Sequence, residues 1–139
     1  MKRVLIALSA MLVFFGLPAK AQIAAPAGAE AYFIEPAEGA SVKSPFTVKF
    51  GLRGMGVAPA LVDWPDTGHF HLLIDREAIP SGSLIPNAAT ALDFGNGQTE
   101  AQITLPPGTH TLILQIGDYQ HIPHLPAVVS KKLTITVTP

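Results

Sequence analysis

Four of the five histidines of the chain fall into two close pairs, His69-x-His71 and His121-x-x-His124. In a β-strand, side chains two residues apart point to the same face and are separated by roughly 6.6 Å along the strand. Two imidazoles spaced as His69 and His71 can therefore approach one ion, and imidazole is a ligand that suits copper, zinc, nickel and iron. The sequence predicts a metal site made by His69, His71, His121 and His124, provided that the second pair folds back onto the first.

Three further residues are candidates for the same site. Met55 stands between two glycines and offers a thioether, which suits Cu⁺. Asp118 precedes the second pair and could orient an imidazole through a hydrogen bond. His110 follows a Pro-Pro-Gly corner, where its ring could equally bond to the backbone and hold the turn. A structural role stays open for the pairs as well, because a His-x-His pair can be a solvated strand face.

The composition excludes several classes of chemistry. The chain has no cysteine, which excludes disulfides, thiolate metal sites, a cysteine nucleophile and a lipidated cysteine. No serine lies in a nucleophile elbow. The Gly95-Asn96-Gly97 segment is a turn, because it lacks the strand-to-helix setting of a phosphate-binding loop. The charged fraction of 14% is too low for a disordered chain.

The N-terminal segment predicts export. Lys2 and Arg3 precede an apolar run over residues 4–17, and Ala19-Lys20-Ala21 is a cleavage box of small residues. The run is shorter than the roughly 20 residues that span a bilayer. We expect residues 1–21 to be a signal peptide that is removed, which leaves no stable membrane span. Export without cysteine fits a bacterial periplasm.

Cleavage would change the charge balance of the chain. Six Lys and Arg would remain against ten Asp and Glu, a net charge of −4 with neutral histidines. Nucleic-acid binding needs a basic footprint, so nucleic acid is not an expected partner. The expected partners are a metal ion and another protein of the cell envelope.

The mature chain consists of short apolar-polar alternations separated by Pro- and Gly-rich turns. Six β-type segments stand out, at residues 31–35, 45–52, 69–75, 99–105, 109–116 and 131–137. We predict an immunoglobulin-like antiparallel β-sandwich of about seven strands over residues 31–139, preceded by a flexible leader at residues 22–30. The predicted core comprises Phe46, Val48, Phe50, Leu72, Ile74, Ile103, Leu112, Leu114, Leu133 and Ile135.

Five motifs make the chain resemble a known family. They occupy residues 54–60, 67–75, 94–100, 106–112 and 117–124, in this order. Together they resemble the bacterial DUF4399 family, a domain of unknown function, over about residues 31–137. The resemblance implies an exported, Ig-like, single-domain protein with a histidine signature, and it implies no activity.

The chain departs from the pattern of that family at three positions. Phe70, Asp93 and Tyr119 stand where the family commonly has histidine. Phe70 would point away from the His69 and His71 face, so this change should matter little. The changes at residues 93 and 119 remove two imidazoles, although Asp93 can supply an oxygen ligand.

Three hypotheses for the function follow. The first is a periplasmic metal-binding protein that carries or buffers an ion, with copper favoured and zinc as the alternative. The second is a non-enzymatic interaction module of the cell envelope, in which the histidines are structural. The third is a copper-dependent redox enzyme, which would need an open coordination position and a substrate cleft that the sequence does not display. Titration of the metal-free protein with copper and zinc separates the first two, and the most useful structural observation is whether the loop at residues 121–124 lies beside His69 and His71.

Overall fold

The computed structural model describes residues 21–139, so the predicted signal peptide lies outside the described residues except for Ala21. The described chain forms nine strands and no helix, which confirms the all-β prediction. Residues 21–139 consequently contain no helix of the length and apolarity needed to cross a bilayer. The strands are β1 (Glu30–Glu35), β2 (Ser41–Lys43), β3 (Phe46–Arg53), β4 (Gly56–Val57), β5 (Thr67–Ile74), β6 (Ala91–Asp93), β7 (Glu100–Ile103), β8 (Gly108–Gly117) and β9 (Leu133–Thr138).

The strands form two sheets that pack as a sandwich. The smaller sheet has the order β1-β3-β7, and the larger has the order β2-β9-β8-β5-β4, with β6 also paired to β5. This division matches the A-B-E and C-F-G strands of an immunoglobulin-like fold. The six predicted segments correspond to β1, β3, β5, β7, β8 and β9, and the three further strands are β2, β4 and β6, each two or three residues long. The β4–β5 and β2–β9 pairs are parallel, and the other five strand pairs are antiparallel, as predicted.

The core lies between the sheets, and all ten predicted core residues are buried there. The ring of Phe50 from the smaller sheet lies 5.1 Å from that of Phe70 and 4.8 Å from that of Phe94, measured between centroids. Phe70, Leu72 and Ile74 all belong to this core, as the period-2 alternation of β5 predicts. That face of β5 therefore holds the two sheets together.

Replacing Leu114 with alanine is expected to lower the free energy of unfolding by about 2–5 kcal/mol, the range for truncating a buried leucine. Leu114 is 0% exposed and belongs to the core of β8. Chemical denaturation of both proteins measures the difference. A loss well below about 1 kcal/mol would contradict the central position of β8 in the core.

The predicted leader, residues 22–30, makes backbone hydrogen bonds with the rest of the domain. The Ala25 N–H donates to the Leu125 carbonyl at 3.0 Å, and the Leu125 N–H donates to the Ile23 carbonyl at 2.9 Å. Glu30 is already part of β1. The leader is thus held against the domain, because the backbone of Leu125 offers a donor and an acceptor to a neighbouring extended segment.

Candidate metal centre

His69 and His71 lie on the face of β5 that points away from the core between the sheets. The side chains of both are 0% exposed, so the interpretation of a solvated strand face is wrong. A second apolar cluster of Leu73, Ile85, Ala91 and Ile113 continues this face along the sheet. Gly117 on β8 makes room for the rings, because a Cβ atom there would lie 2.7 Å from Nε2 of His71. The outer face of β5 is therefore a second buried environment.

Asp93 enters this environment from β6. It stands directly opposite His71 in the β5–β6 pair, and directly opposed residues project to the same face of a sheet. Its Oδ1 atom lies 3.3 Å from Nε2 of His69 and 3.9 Å from Nδ1 of His71. Its Oδ2 atom lies 3.1 Å from Nε2 of His121. One carboxylate thus contacts three imidazoles.

His121 reaches the same cluster from the loop after β8. Its ring centroid lies 4.7 Å from that of His69 and 5.6 Å from that of His71. The Oδ1 atom of Asp118 accepts the N–H groups of Gln120 and Ile122, at 2.8 and 3.0 Å, which closes the turn around His121. His121 itself has a φ of 64°, in the left-handed region. Asp118 is therefore placed as the residue that shapes this loop.

The cluster contains buried polar atoms without hydrogen-bond partners. Both ring nitrogens of His69 and of His71 and the Oδ1 atom of Asp93 are in this state. The 3.3 Å approach of His69 to Asp93 lacks the alignment of a hydrogen bond. One ligand atom from each of the three residues lies within 4.8 Å of the others. Unpaired buried groups are costly, and a shared cation would satisfy all three side chains.

The electrostatics keep the imidazoles of His69 and His71 in the neutral form that binds metals. Burial lowers the pKa of His69, and Asp93 opposes this only in part. Burial, reinforced by the neighbouring His69, lowers the pKa of His71 to about 3. A metal ion binds the neutral form of imidazole. Protons therefore compete only weakly with a metal ion for His69 and His71 near neutral pH.

The structure does not bring His124 to this cluster. The His124 ring packs against Gly68 instead. A Cβ atom added to Gly68 would lie 2.4 Å from the side chain of Ile116 and 3.2 Å from Cε1 of His124. Gly68 faces the same side of β5 as Phe70, opposite to His69 and His71. His124 is buried there, and burial lowers its pKa, which Asp118 and the backbone of Thr67 oppose in part. Only His121 of the second pair meets the first pair.

Two other candidates also lie elsewhere. The Nδ1 atom of His110 is 2.7 Å from Oδ2 of Asp75, and its Nε2 atom is 2.9 Å from the Pro106 carbonyl oxygen. The hydrogen bond with Asp75 raises the pKa of His110, which fits a ring that faces two acceptors. These contacts place His110 as the corner residue of β8. Met55 packs against the core between the sheets.

The central position of Asp93 is the feature that sequence reasoning understated. Asp93 was a candidate only because the family commonly has histidine there. The strand that carries it is three residues long and follows a loop rich in proline and glycine, so no alternation pattern marks it. Its pairing with β5 is a tertiary contact, and a single sequence carries no signal for it.

The fold and this cluster define a β-sandwich domain with three histidines and one aspartate gathered on the outer face of its larger sheet. The chain belongs to the DUF4399 family, a domain of unknown function, whose model matches residues 48–138. This range contains all four residues of the cluster, and it confirms the resemblance drawn from the ordered motifs. No match was found among curated proteins or among solved structures.

Proposed function

We propose that the protein binds one transition-metal ion through His69, His71, His121 and Asp93, and that it carries or buffers this ion in the periplasm. The observation that supports the proposal is the set of unpartnered polar atoms on three of these side chains, all facing one another in a buried environment. Apolar side chains of the same shape at these positions would destabilise the folded state less than these unpaired polar side chains do. An ion would offset that cost by bonding to the nitrogens and the carboxylate at once.

The donor set favours a divalent ion. Three imidazole nitrogens and one carboxylate oxygen are borderline and hard ligands, whereas Cu⁺ prefers sulfur. Met55, the candidate thioether ligand, packs against the core instead. Cu²⁺ binds most tightly in the general order of divalent ions, and Zn²⁺ readily takes four such ligands. We therefore retain copper, as Cu²⁺, as the first candidate and zinc as the second.

Titration of the chelator-treated protein tests the proposal. We expect Cu²⁺ and Zn²⁺ to saturate at one ion per chain, and the bound ion to raise the midpoint of thermal unfolding. The His110→Ala variant should also bind one ion, because His110 lies at the β8 corner. A protein that binds neither Cu²⁺ nor Zn²⁺, with no rise in the unfolding midpoint, would contradict the proposal and favour structural histidines.

Export is a separate prediction of the same proposal. We expect the mature protein to begin at Gln22, because the cleavage box ends at Ala21. The intact mass of the protein recovered from the periplasmic fraction of a bacterial host measures this directly. A species that retains Met1 in the membrane fraction would show that the segment is an uncleaved anchor.

A further inference from the structure

The segment at residues 57–64, which runs from the last residue of β4 into the following loop and is here called the apolar loop, carries an unusual share of exposed apolar side chains. Seven large hydrophobic residues are exposed among residues 21–139, and four of them are Val57, Leu61, Val62 and Trp64. Leu61 is 82% exposed and Trp64 is 69% exposed. Single exposed apolar residues are ordinary on protein surfaces, whereas a concentrated group marks an interaction surface.

The apolar loop is held in one conformation by its backbone. The N–H groups of Ala58, Ala60 and Leu61 donate to the carbonyls of Gly68, Gly95 and Tyr119, at 2.9, 2.8 and 2.9 Å. Leu61 adopts a φ of 67°, which a leucine rarely takes. The loop therefore presents its side chains to solvent without the ordering cost that a mobile loop would pay on binding.

The apolar loop lies beside the metal centre. Gly95, which accepts the Ala60 N–H, is two residues from Asp93. Tyr119, which accepts the Leu61 N–H, is two residues from His121. Asp93 and His121 are the partly exposed members of the cluster, at 18% and 28% of their side chains. A molecule docked on the apolar loop would therefore sit next to the accessible side of the centre.

The charges around the apolar loop select the kind of partner. Asp63 and Asp66 are exposed and form no ion pair with a lysine or arginine among the described residues. The sequence has no Lys or Arg between Arg53 and Arg76, and none between Arg76 and Lys131. The surface is thus apolar with uncompensated negative charge, and it complements a cationic surface.

The same charges disfavour two other occupants. A symmetric contact between two copies of the chain would bring the apolar loop of one against that of the other, with their aspartates facing. An anionic bilayer surface would repel Asp63 and Asp66. Binding to such a surface relies on attraction to Lys and Arg, and this part of the chain has neither. We propose that the apolar loop is the docking surface for a protein partner with an apolar recess rimmed by basic residues.

Site-specific photo-crosslinking, performed in the cells that produce the protein, identifies the partner. A photoreactive residue is placed at Val62, and a matched control is placed at Ile34, which is 56% exposed on β1. We expect a protein adduct at residue 62 and none at residue 34. Adducts only with lipid or with a second copy of the chain, equal adducts at both positions, or no adduct at all would overturn the proposal.

Titration with the crosslinked protein, purified by itself, then tests the chemistry of the contact. Trp64→Ser and Asp63→Lys should each weaken binding at least about tenfold, because buried aromatic residues and opposed charges dominate such interfaces. Added salt should weaken binding to the unmodified chain more than to Asp63→Lys. Leu84→Ser, at an exposed apolar residue outside the apolar loop, should bind normally. Unchanged binding by Trp64→Ser and Asp63→Lys would overturn the proposal.

A metal titration of Trp64→Ser keeps this inference separate from the proposed function. The variant should still bind one Zn²⁺ ion, since Trp64 is not part of the cluster. Loss of partner binding with retained Zn²⁺ binding supports the docking surface. Loss of Zn²⁺ binding as well would show that Trp64→Ser disturbs the metal centre. In that case the partner binding of Asp63→Lys tests the docking surface.

Discussion

Replacing His71 with alanine is expected to weaken Zn²⁺ binding by at least about a hundredfold, because even second-sphere residues contribute about 10–100-fold to metal affinity. His71 is fully buried on β5, and its ring nitrogens have no other partner. Replacing His110 with alanine should leave the affinity unchanged, because its ring contacts Asp75 and Pro106 at the β8 corner. Competition with a chelator of known affinity measures both variants.

Asp93→Asn serves as a gentler companion to the alanine variant. It keeps the size of the side chain and removes the negative charge that contacts three imidazoles, so Zn²⁺ binding should again weaken. Circular dichroism of each variant confirms that the sandwich is retained. Equal losses in His71→Ala and His110→Ala would place His110 in the site, and an unchanged affinity in His71→Ala would assign the buried histidines a structural role.

The metal-free protein should lose stability as the pH falls from about 6.5 towards 3. Burial holds the pKa values of His69, His71 and His124 below 6.5, with that of His71 at about 3. The unfolded chain therefore binds protons that the folded chain does not, which lowers the free energy of unfolding by up to about 1.4 kcal/mol per pH unit for each such histidine. His110 acts in the opposite direction, because its raised pKa stabilises the fold at low pH and this contribution is lost as the pH rises.

His71→Leu isolates the contribution of one histidine to this dependence. The substitution removes two unpartnered buried nitrogens, so the metal-free variant should be more stable at neutral pH by about 1–3 kcal/mol. Its stability should also depend less steeply on pH between about 6.5 and 3. Urea denaturation at several pH values measures both effects. A variant that is less stable than the parent, with an unchanged pH slope, would mean that His71 supports the fold.

The strands and the core could be predicted from the sequence because their signal is local. The alternation around Val48 and around Leu72 fixes which side chains face inward, and the structure buries both. The outer face of β5 could not be assigned in this way. This face is buried by segments that are distant in sequence, such as the one that carries Ile85. The alternation of a single strand cannot show which distant segment packs on it.

The candidate site shows the same division between local and distant information. The spacing of His69 and His71 predicts a shared face, which the structure has. The spacing of His121 and His124 does not predict which of the two side chains points towards β5. That orientation depends on the left-handed backbone at His121 and on the turn that Asp118 closes. Asp93 joins through strand pairing, and no spacing in the sequence encodes that contact.

The four residues of the cluster come from elements that we expect to open at different costs in free energy. His69 and His71 belong to β5, an interior strand of the larger sheet, whose amide protons should exchange with solvent only when the whole domain unfolds. His121 belongs to a partly exposed loop, and such segments open at a far lower cost in free energy. An ion held by all four could be released by a fluctuation of residues 118–124 while the sandwich stays folded. Its residence time would then be set by the loop and would be independent of the global stability of the domain.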